Sequence, residues 1–409
     1  MTEAKNTVIV VSTVPVFPSI QGNRRVIGQL LEWLRREGYH TILVHQAKSV
    51  PEHVIVEHKK ICDHYVVIGE SSAELSILAA VSSALRRVFC KVYNRFFVSR
   101  LEKYFDHAGV LRHFICSDSP QNARSCWPKT KLVVSHLMKA FQCRAVIAQY
   151  HFMTGVFDVV PTGVLKLVQT HDACSLVSEK IGTVGEDTQG REITYEQERQ
   201  SLLRADVIIA IQKQEQRYFA EMIPERTVIT VGYASEERTI KKININQRKD
   251  HVLFTGSANP LNWRGIEQFL TYAWPIVREQ HPAATCTIVG RVCEMLSPVA
   301  CEGVRLKGTL DRLEDEWEHA GIVINPVDLG TGLKIKTIEA LGRGKALVTT
   351  PEGVAGLFPS LQESPFRVAS DWASFAHEIV RLIEEPNAIV DLENLALRYA
   401  QEFLTVEAV

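Results

Sequence analysis

The chain lacks the patterns that would assign it to a secreted, redox-active or membrane-spanning class. Its nine cysteines are scattered, with no C-x-x-C pair, which argues against the common zinc and thiol-redox motifs and indicates reduced thiols in a cytosolic setting. The N-terminal apolar run is brief and predicts a first strand, not a signal peptide. No stretch approaches the ~18–20 apolar residues of a membrane span, so we expect a cytoplasmic protein.

Motifs of three large enzyme groups are also missing. No G-x-G-x-x-G follows the first apolar run, which argues against a dehydrogenase. The ATPase loop G-x-x-x-x-G-K-[ST] and the hydrolase turn G-x-S-x-G are absent as well. The formal net charge of −1 gives no sign of nucleic-acid binding, and we expect none.

One short segment offers candidate metal ligands. HKKICDH, residues 58–64, places histidine, cysteine and aspartate close together, but no second ligand pair stands at zinc-finger spacing. We interpret the segment as an exposed helix leading into the strand YVVIG. The sequence therefore predicts no metal site and no cofactor.

The pattern that is present is an alternation of apolar runs and amphipathic helical stretches. A length of 409 residues suits two domains, and 46% hydrophobic content is that of a globular protein. The apolar β-branched runs are typical of buried parallel strands. In the first half they are Val8–Val14, Thr41–Val44, Tyr65–Ile68, Ala145–Ala148, Val164–Gln169 and Val207–Ile211.

This alternation predicts an α/β protein of two doubly wound, Rossmann-like sheets, with ligands bound beyond the carboxyl ends of the strands. A polar, charged run separates the two arrays of strands. We therefore expect an N-terminal domain over 1–234, a linker over 235–250, a C-terminal domain over 251–385 and a last helix within 386–409.

The most informative segment is DLGTGLKIKTIEALGRGKALVTT, residues 328–350. A glycine turn is followed by a helix that opens on Lys334 and Lys336. Free amides and the positive dipole end of a helix favour phosphate, and the two lysines add charge. Glu339 shares a helix face with Lys336, where a carboxylate can accept hydrogen bonds from ribose hydroxyls. These residues also suit simple helix capping, but the ordered pattern around them favours a nucleotide diphosphate site.

The string resembles the nucleotide-sugar segment of family 4 glycosyltransferases, which have the GT-B fold of two Rossmann-like domains facing across a cleft. The likeness continues upstream in VLFTGSANPLNWRGIEQFL, TCTIVGR and GVRLKGTLDRLEDEWEHAGIVINP, and covers most of residues 250–360. It is looser over the N-terminal half. Residues of the segment that carry it are Gly330, Gly332, Lys336, Glu339, Ala340 and Gly344.

The chain departs from the family pattern at two positions. Many members carry two glutamates separated by seven residues, and Thr331 stands at the first of these positions. Many also have a basic residue where this chain has Ser257, although Arg264 matches the later basic position. We expect Lys334 to supply the missing charge.

The resemblance implies that the C-terminal domain binds a nucleotide-sugar donor and the N-terminal domain an acceptor. Arg264 and Lys336 would stabilise the leaving diphosphate, with His171 and Asp172 as candidate catalytic residues at a strand end. A structural role fits that His-Asp pair as well. The segment QGNRR, residues 21–25, lies between the first strand and the first helix, and a plain helix start explains it equally well. Expected donor ligands are Gly256, Ser257, Arg264, Thr331, Gly332, Lys334, Lys336 and Glu339, and expected acceptor ligands are Gly22, Asn23, Arg24 and His151.

We therefore expect a glycosyltransferase, retaining by resemblance, that acts on a glycan, lipid-linked or small-molecule acceptor in bacterial surface polysaccharide or glycoconjugate synthesis. Two alternatives stay open: a GT-B-type sugar-nucleotide epimerase, and a non-catalytic nucleotide-sugar-binding subunit. By the same resemblance, the last helix would return to the N-terminal domain.

A basic and aromatic segment spans residues 84–105. Arg87, Lys91 and Arg95 recur every four residues and predict a basic stripe beside an aromatic face. Such a helix suits an anionic membrane surface, which would place the protein peripherally at the inner membrane face. A packed helix with a solvated basic edge fits the same pattern.

Overall fold

The structure, a computed structural model, describes most of the chain. The described residues are 6–17, 22–47, 50–69, 110–114 (backbone only), 125–183, 193–235, 245–296, 301–310, 312–357 and 363–409. The basic and aromatic segment at 84–105 lies outside them, so its interpretation stays a prediction. No helix among the described residues is long and apolar enough to cross a membrane.

Within the described residues, the first sheet has eight strands in the order β4-β3-β2-β1-β5-β6-β7-β8, and the pairs from β4 through β7 are parallel. All six residues of β1 are buried, as expected of a parallel strand with both faces covered. The strands are β1 (Thr7–Ser12), β2 (His40–Gln46), β3 (His64–Gly69), β4 (Val110–Phe114), β5 (Cys143–Gln149), β6 (Leu165–Gln169), β7 (Val207–Ala210) and β8 (Thr227–Thr230).

The second sheet, as far as the structure describes it, has six parallel strands in the order β11-β10-β9-β12-β13-β14. Its core includes Phe254, Phe269, Trp274 and Phe375, which are at most 2% exposed. The strands are β9 (His251–Thr255), β10 (Thr285–Val289), β11 (Val304–Gly308), β12 (Ile322–Asn325), β13 (Ala346–Thr349) and β14 (Arg367–Val368).

Helices connect the strands, as crossovers between parallel neighbours require. The run after β9 continues through a π-helical turn, Phe269–Ala273, into the next helix. The helices are α1 (Gly22–Arg36), α2 (Glu52–His58), α3 (Pro128–Ala140), α4 (Cys174–Thr183), α5 (Tyr195–Leu202), α6 (Lys213–Met222), α7 (Pro260–Gln268), α8 (Trp274–Gln280), α9 (Glu314–His319), α10 (Ile335–Gly342), α11 (Trp372–Glu384) and α12 (Pro386–Phe403).

The described chain divides into two compact units, and two short segments depart from the predicted boundaries. The longest segment of the second unit is Thr230–Val409, which begins near the predicted linker. The unit also includes the earlier segments Asp172–Ile193 and Ile211–Glu215. The sequence places both segments in the N-terminal domain. The helix α12 contacts α10 and β13 of the second unit, and its packing on the first unit stays a prediction.

The interpretation of HKKICDH as an exposed helix is wrong at its first residue. The helix α2 ends at His58, which is buried, and its Nε2 atom accepts hydrogen bonds from Val16 N at 2.9 Å and Phe17 N at 3.4 Å. Burial lowers the pKa of His58, which keeps the ring neutral and able to accept. The histidine therefore satisfies two backbone donors in the core.

Candidate functional site

The loop before α10 has the glycine turn that the sequence predicts. Gly330 and Gly332 have φ values of 124° and 75°, in the region that favours glycine. Lys334 is the N-cap residue and has no side-chain capping bond of its own. The turn therefore leads directly into α10, and the first backbone N–H groups of a helix have no partner within the helix.

A buried network holds the first turn of α10 over the ends of β12 and β13. The Nδ2 atom of Asn325 donates to Thr337 Oγ1 at 2.9 Å, and the Thr337 hydroxyl donates to Gly353 O at 2.7 Å. Thr349 Oγ1 donates in turn to Asn325 O at 3.0 Å. These bonds fix the position of the helix start against the sheet.

Lys336 links the helix start to the loop after β9. Its ammonium group donates a hydrogen bond to Asn262 Oδ1 and lies 4.6 Å from the centroid of the Phe254 ring. Asn262 donates in turn to the backbone oxygen and the hydroxyl of Ser257, both at 3.1 Å. Burial, and then the charge of Lys334, lower the pKa of Lys336 to about 7.

Arg264 is oriented by a carboxylate on the neighbouring loop. Its Nη2 atom lies 3.1 Å from Asp328 Oδ2, and both side chains are mostly buried. The approach of α7 depends on Gly265, because a Cβ atom there would lie 2.6 Å from Pro326 O. The glycine thus lets the helix bring Arg264 to the end of β12.

Gly256 follows β9 directly and lies close to the residues that support Lys336. Its N–H donates to Val289 O at 2.9 Å, and its oxygen accepts from Val292 N at 3.2 Å. A Cβ atom on Gly256 would lie 2.9 Å from the Phe254 ring, the ring below Lys336. A side chain at this position would therefore displace the aromatic support of the lysine.

Lys334 does not point in the same direction as Lys336. Its ammonium group donates to Thr331 O at 2.9 Å and pairs with Glu352 at 3.1 Å. Glu352 also binds Lys180 at 3.0 Å, and Lys180 donates to Gly330 O at 2.8 Å. As placed, Lys334 stabilises the glycine loop, and its role as a replacement for the basic residue absent at Ser257 stays a prediction.

Glu215, which the sequence analysis did not single out, contacts this loop. Its Oε1 atom accepts hydrogen bonds from Gly332 N at 2.8 Å and Ala173 N at 3.0 Å. Ala173 N also donates to Thr331 Oγ1 at 3.1 Å. Burial raises the pKa of Glu215 to about 7. One glutamate in an amphipathic helix carries no sequence signal for this role.

Glu339 lies one turn after Lys336 on α10 and is half-buried. Its backbone oxygen accepts from Arg343 N at 3.1 Å, which continues the helix to its end. The predicted arrangement of a cation and a carboxylate on one helix face is therefore present.

In the first unit, Tyr150 brings two predicted residues together. Its hydroxyl accepts a hydrogen bond from Asn23 Nδ2 at 2.9 Å, and its ring centroid lies 4.4 Å from that of His171. Tyr150 has a φ of 68°, and no other described residue except glycine has a positive φ. A bulky residue in this region is strained, and such strain is common at functional sites.

His171 is buried and neutral. Its Nε2 atom donates to Gln149 Oε1 at 2.8 Å, and burial lowers the pKa of the ring to about 3. His171 groups with the first unit, whereas Asp172 groups with the second. The structure therefore assigns the two halves of the predicted His-Asp pair to different units.

The other predicted acceptor residues lie at element starts. Gly22 begins α1, and Arg24 N donates to Asn23 Oδ1 at 2.9 Å. His151 begins a 3₁₀ helix, with its Nδ1 atom 3.8 Å from the buried carboxylate of Glu198. Asn23 and His171 therefore share Tyr150 as a neighbour, and the ring of His151 contacts Phe152, which stacks on Tyr150.

The sequence of part of the second unit matches one family model. Residues 249–385 match the profile described as "Glycosyl transferases group 1". In sequence they resemble a group 1 glycosyltransferase domain. The glycine loop, Lys336 and Glu339 lie within this domain, so the family resemblance predicted from them is confirmed. A comparison with curated protein sequences gave no match.

Solved structures share the fold over nearly the whole chain. Sucrose-phosphate synthase from Thermosynechococcus elongatus is 15% identical with a TM-score of 0.69, and the match covers 99% of this chain and 96% of that one. TarM of S. aureus is 10% identical with a TM-score of 0.67, over 98% and 96%. Anabaena HepE, solved with UDP and glucose, is 11% identical with a TM-score of 0.61, over 98% and 96%. The predicted GT-B fold is confirmed.

Proposed function

We propose that the protein is a retaining glycosyltransferase, acting on a glycan, lipid-linked or small-molecule acceptor in bacterial surface polysaccharide or glycoconjugate synthesis. The observation that carries this proposal is the position of Lys336 at the start of α10, tied to Asn262 and supported by Phe254. A partly desolvated cation beside a helix N-terminus suits a diphosphate. Arg264, oriented by Asp328, adds a second cation on a neighbouring loop.

The chemistry assigned to the second unit is electrostatic. As the bond between sugar and diphosphate breaks, negative charge collects on the leaving group, where Lys336, Arg264 and helix amides stabilise it. Glu339 would bind the ribose and so fix the position of the reacting carbon. Side chains and dipoles neutralise the phosphate charge in this proposal, so no metal is needed.

The acceptor is assigned to the first unit. Asn23 and the strained Tyr150 offer polar groups next to the neutral ring of His171. A neutral imidazole can bind a sugar hydroxyl without the cost of burying a charge. We assign no nucleophile, and front-face attack through an oxocarbenium-like pair, which retains the anomeric configuration, requires none.

The first experiment should determine which nucleotide the protein binds. HepE has been solved with UDP and with UDP-glucose, and TarM with UDP, which makes uracil the first base to test. A thermal-shift screen would compare UDP, GDP, dTDP, ADP and CMP, because a ligand of the native state raises its melting temperature. We expect one nucleoside diphosphate to stand out, and a flat screen would contradict the proposal.

Product analysis separates the remaining alternatives. NMR of the first-formed product should show the donor's anomeric configuration preserved, whereas inversion would call for a general base such as His171 or Asp172. Turnover of the nucleotide-sugar without any acceptor would favour the epimerase. Nucleotide binding without transfer, over a broad acceptor panel, would favour a binding subunit.

A further inference from the structure

The carboxyl group of Glu215 is buried against the glycine loop before α10, although Glu215 is 117 residues away from Gly332 along the chain. The side chain is 3% exposed, and its Oε1 atom holds the amides of Gly332 and Ala173. Oε2 is also buried and has no hydrogen-bond partner among the described residues. Leaving a buried carboxyl oxygen unpaired is costly, so this atom is suited to a ligand group.

Glu215 lies next to the side chain of position 331. Thr331 Oγ1 and Glu215 Oε1 accept from the same amide, Ala173 N, at 3.1 and 3.0 Å. A glutamate stands at the equivalent of Thr331 in many family 4 glycosyltransferases. Glu215 therefore brings a carboxyl group to the place where this chain has a hydroxyl.

The order of the proposed donor contacts indicates which part of the donor meets this group. Glu339 is assigned to the ribose and Lys336 to the diphosphate, and Gly332 follows in the same direction along the chain. A nucleotide-sugar has the same order of ribose, diphosphate and sugar. The loop around Gly332 therefore falls on the sugar side of the diphosphate.

We propose that Glu215 recognises a hydroxyl of the transferred sugar, in place of the glutamate that position 331 lacks. This inference rests on the proposed function, because it takes the donor site as assigned above. The two amides fix Oε1, which leaves Oε2 to form a hydrogen bond with the sugar. With its pKa raised by burial, the carboxyl group is partly protonated near neutral pH and can also donate that bond.

The test compares binding of UDP with binding of UDP-glucose by calorimetry, with GDP and GDP-mannose as the probes if GDP gives the larger thermal shift. In wild type, the sugar should strengthen binding. Glu215→Ala should weaken UDP-glucose binding about tenfold or more and leave UDP binding within about twofold. Glu221→Ala is the matched control, because Glu221 is an exposed residue of the same helix.

Single-deoxy analogues of UDP-glucose identify the hydroxyl and exclude a purely structural role. Removing the recognised hydroxyl should weaken binding to wild type but not to Glu215→Ala, as in a double-mutant cycle. The double variant Glu215→Ala, Thr331→Glu should restore part of the lost affinity, because it returns a carboxyl group to the loop. Glu215→Gln, which keeps the shape, guards against misfolding of the alanine variant.

Each outcome is decisive. Equal losses of UDP and UDP-glucose binding in Glu215→Ala would mean that the residue only supports the loop, and wild-type affinity would mean that it has no role. No coupling to any deoxy analogue would also overturn the inference while leaving the proposed function intact. If wild type bound no nucleoside diphosphate and no nucleotide-sugar, both proposals would fail together.

Discussion

The ammonium group of Lys336 lies 4.6 Å from the centroid of the Phe254 ring and donates to the side chain of Asn262. The ring contributes a cation–π attraction that partly offsets the loss of water around the charge. The side-chain amide fixes the direction of the Nζ atom. A cation held in this way is already in position when negative charge develops, which is the arrangement that favours catalysis by fixed charges.

Removing either cation should lower turnover. We expect Lys336→Ala and Arg264→Ala each to reduce the turnover number about 10²–10³-fold, the usual effect of losing one preorganised stabilising group. Release of nucleoside diphosphate under saturating donor measures this. Arg291→Ala is the control, since Arg291 is an exposed arginine paired with Glu294 in the same unit. Folded variants with wild-type turnover would refute the assignment of the diphosphate.

Donor binding should take up protons above neutral pH. Lys336, with a pKa of about 7, is largely neutral at higher pH, and a bound diphosphate would raise that pKa by favouring the charged form. Calorimetry of UDP binding at about pH 8, in buffers of different ionisation enthalpy, should show proton uptake. Affinity should fall as the pH rises. Lys336→Met should remove the uptake, and its persistence in that variant would point to another group.

Glu339→Gln should act first on donor affinity. The change keeps the shape but replaces a charged acceptor by a neutral amide, so the dissociation constant of UDP should rise about ten- to hundredfold. Thr331→Ala should have a smaller effect. The Glu339→Gln variant should also lose its preference for UDP over 2′-deoxy-UDP if Glu339 binds the ribose hydroxyls. An unchanged preference would assign the ribose to another residue.

Glu215 should make stability depend on pH in a defined direction. Its pKa is raised from 4.5 to about 7, so the folded state binds more protons than the unfolded state between these values. The stabilisation is present at low pH and is lost as the pH rises through about 7. The side chain of the Glu215→Gln variant stays neutral at every pH. The melting temperature of the variant, relative to that of wild type, should therefore increase as the pH rises. A difference that does not change with pH would contradict a neutral buried carboxyl group.

The segment at 84–105 should bind anionic membranes if its basic stripe faces a bilayer. Each basic residue near an anionic surface contributes ~1 kcal/mol, and salt weakens this attraction. The protein should co-sediment with anionic liposomes more than with neutral ones. Reversal of Arg87, Lys91 and Arg95 to glutamate should abolish that binding without changing UDP affinity. Equal sedimentation with both kinds of vesicle would favour a packed helix with a solvated edge.

The sequence predicts the strands well because burial on both faces leaves an uninterrupted apolar signal. The run at Val8–Val14 corresponds to β1, which ends two residues earlier, where Ser12 Oγ bonds to Val14 backbone atoms. The strand β8 was not predicted from the sequence. Its burial alternates between exposed and partly buried residues, so its sequence has no continuous apolar run.

Local motifs predict the glycine loop before α10, to which we assign the donor, but not the residues that contact it from elsewhere in the chain. Lys336 and Glu339 are predictable because their spacing along one helix carries the signal. The partners of Lys336 are not, since Asn262 is 74 residues away along the chain. Tyr150 is missed for a related reason: its unusual backbone conformation is set by tertiary contacts, and tyrosine itself gives no hint of a positive φ.

The grouping of Asp172–Ile193 and Ile211–Glu215 with the second unit has a consequence for engineering and for evolution. Enzymes assembled from two sheets invite chimeras that join one half to another at the connecting segment. A junction near residue 235 would leave Ala173, Lys180 and Glu215 behind with the wrong half and deprive the glycine loop of their hydrogen bonds. The unit to which we assign the donor is therefore discontinuous in sequence, and a productive exchange must transfer residues 172–193, 211–215 and 230–409 together.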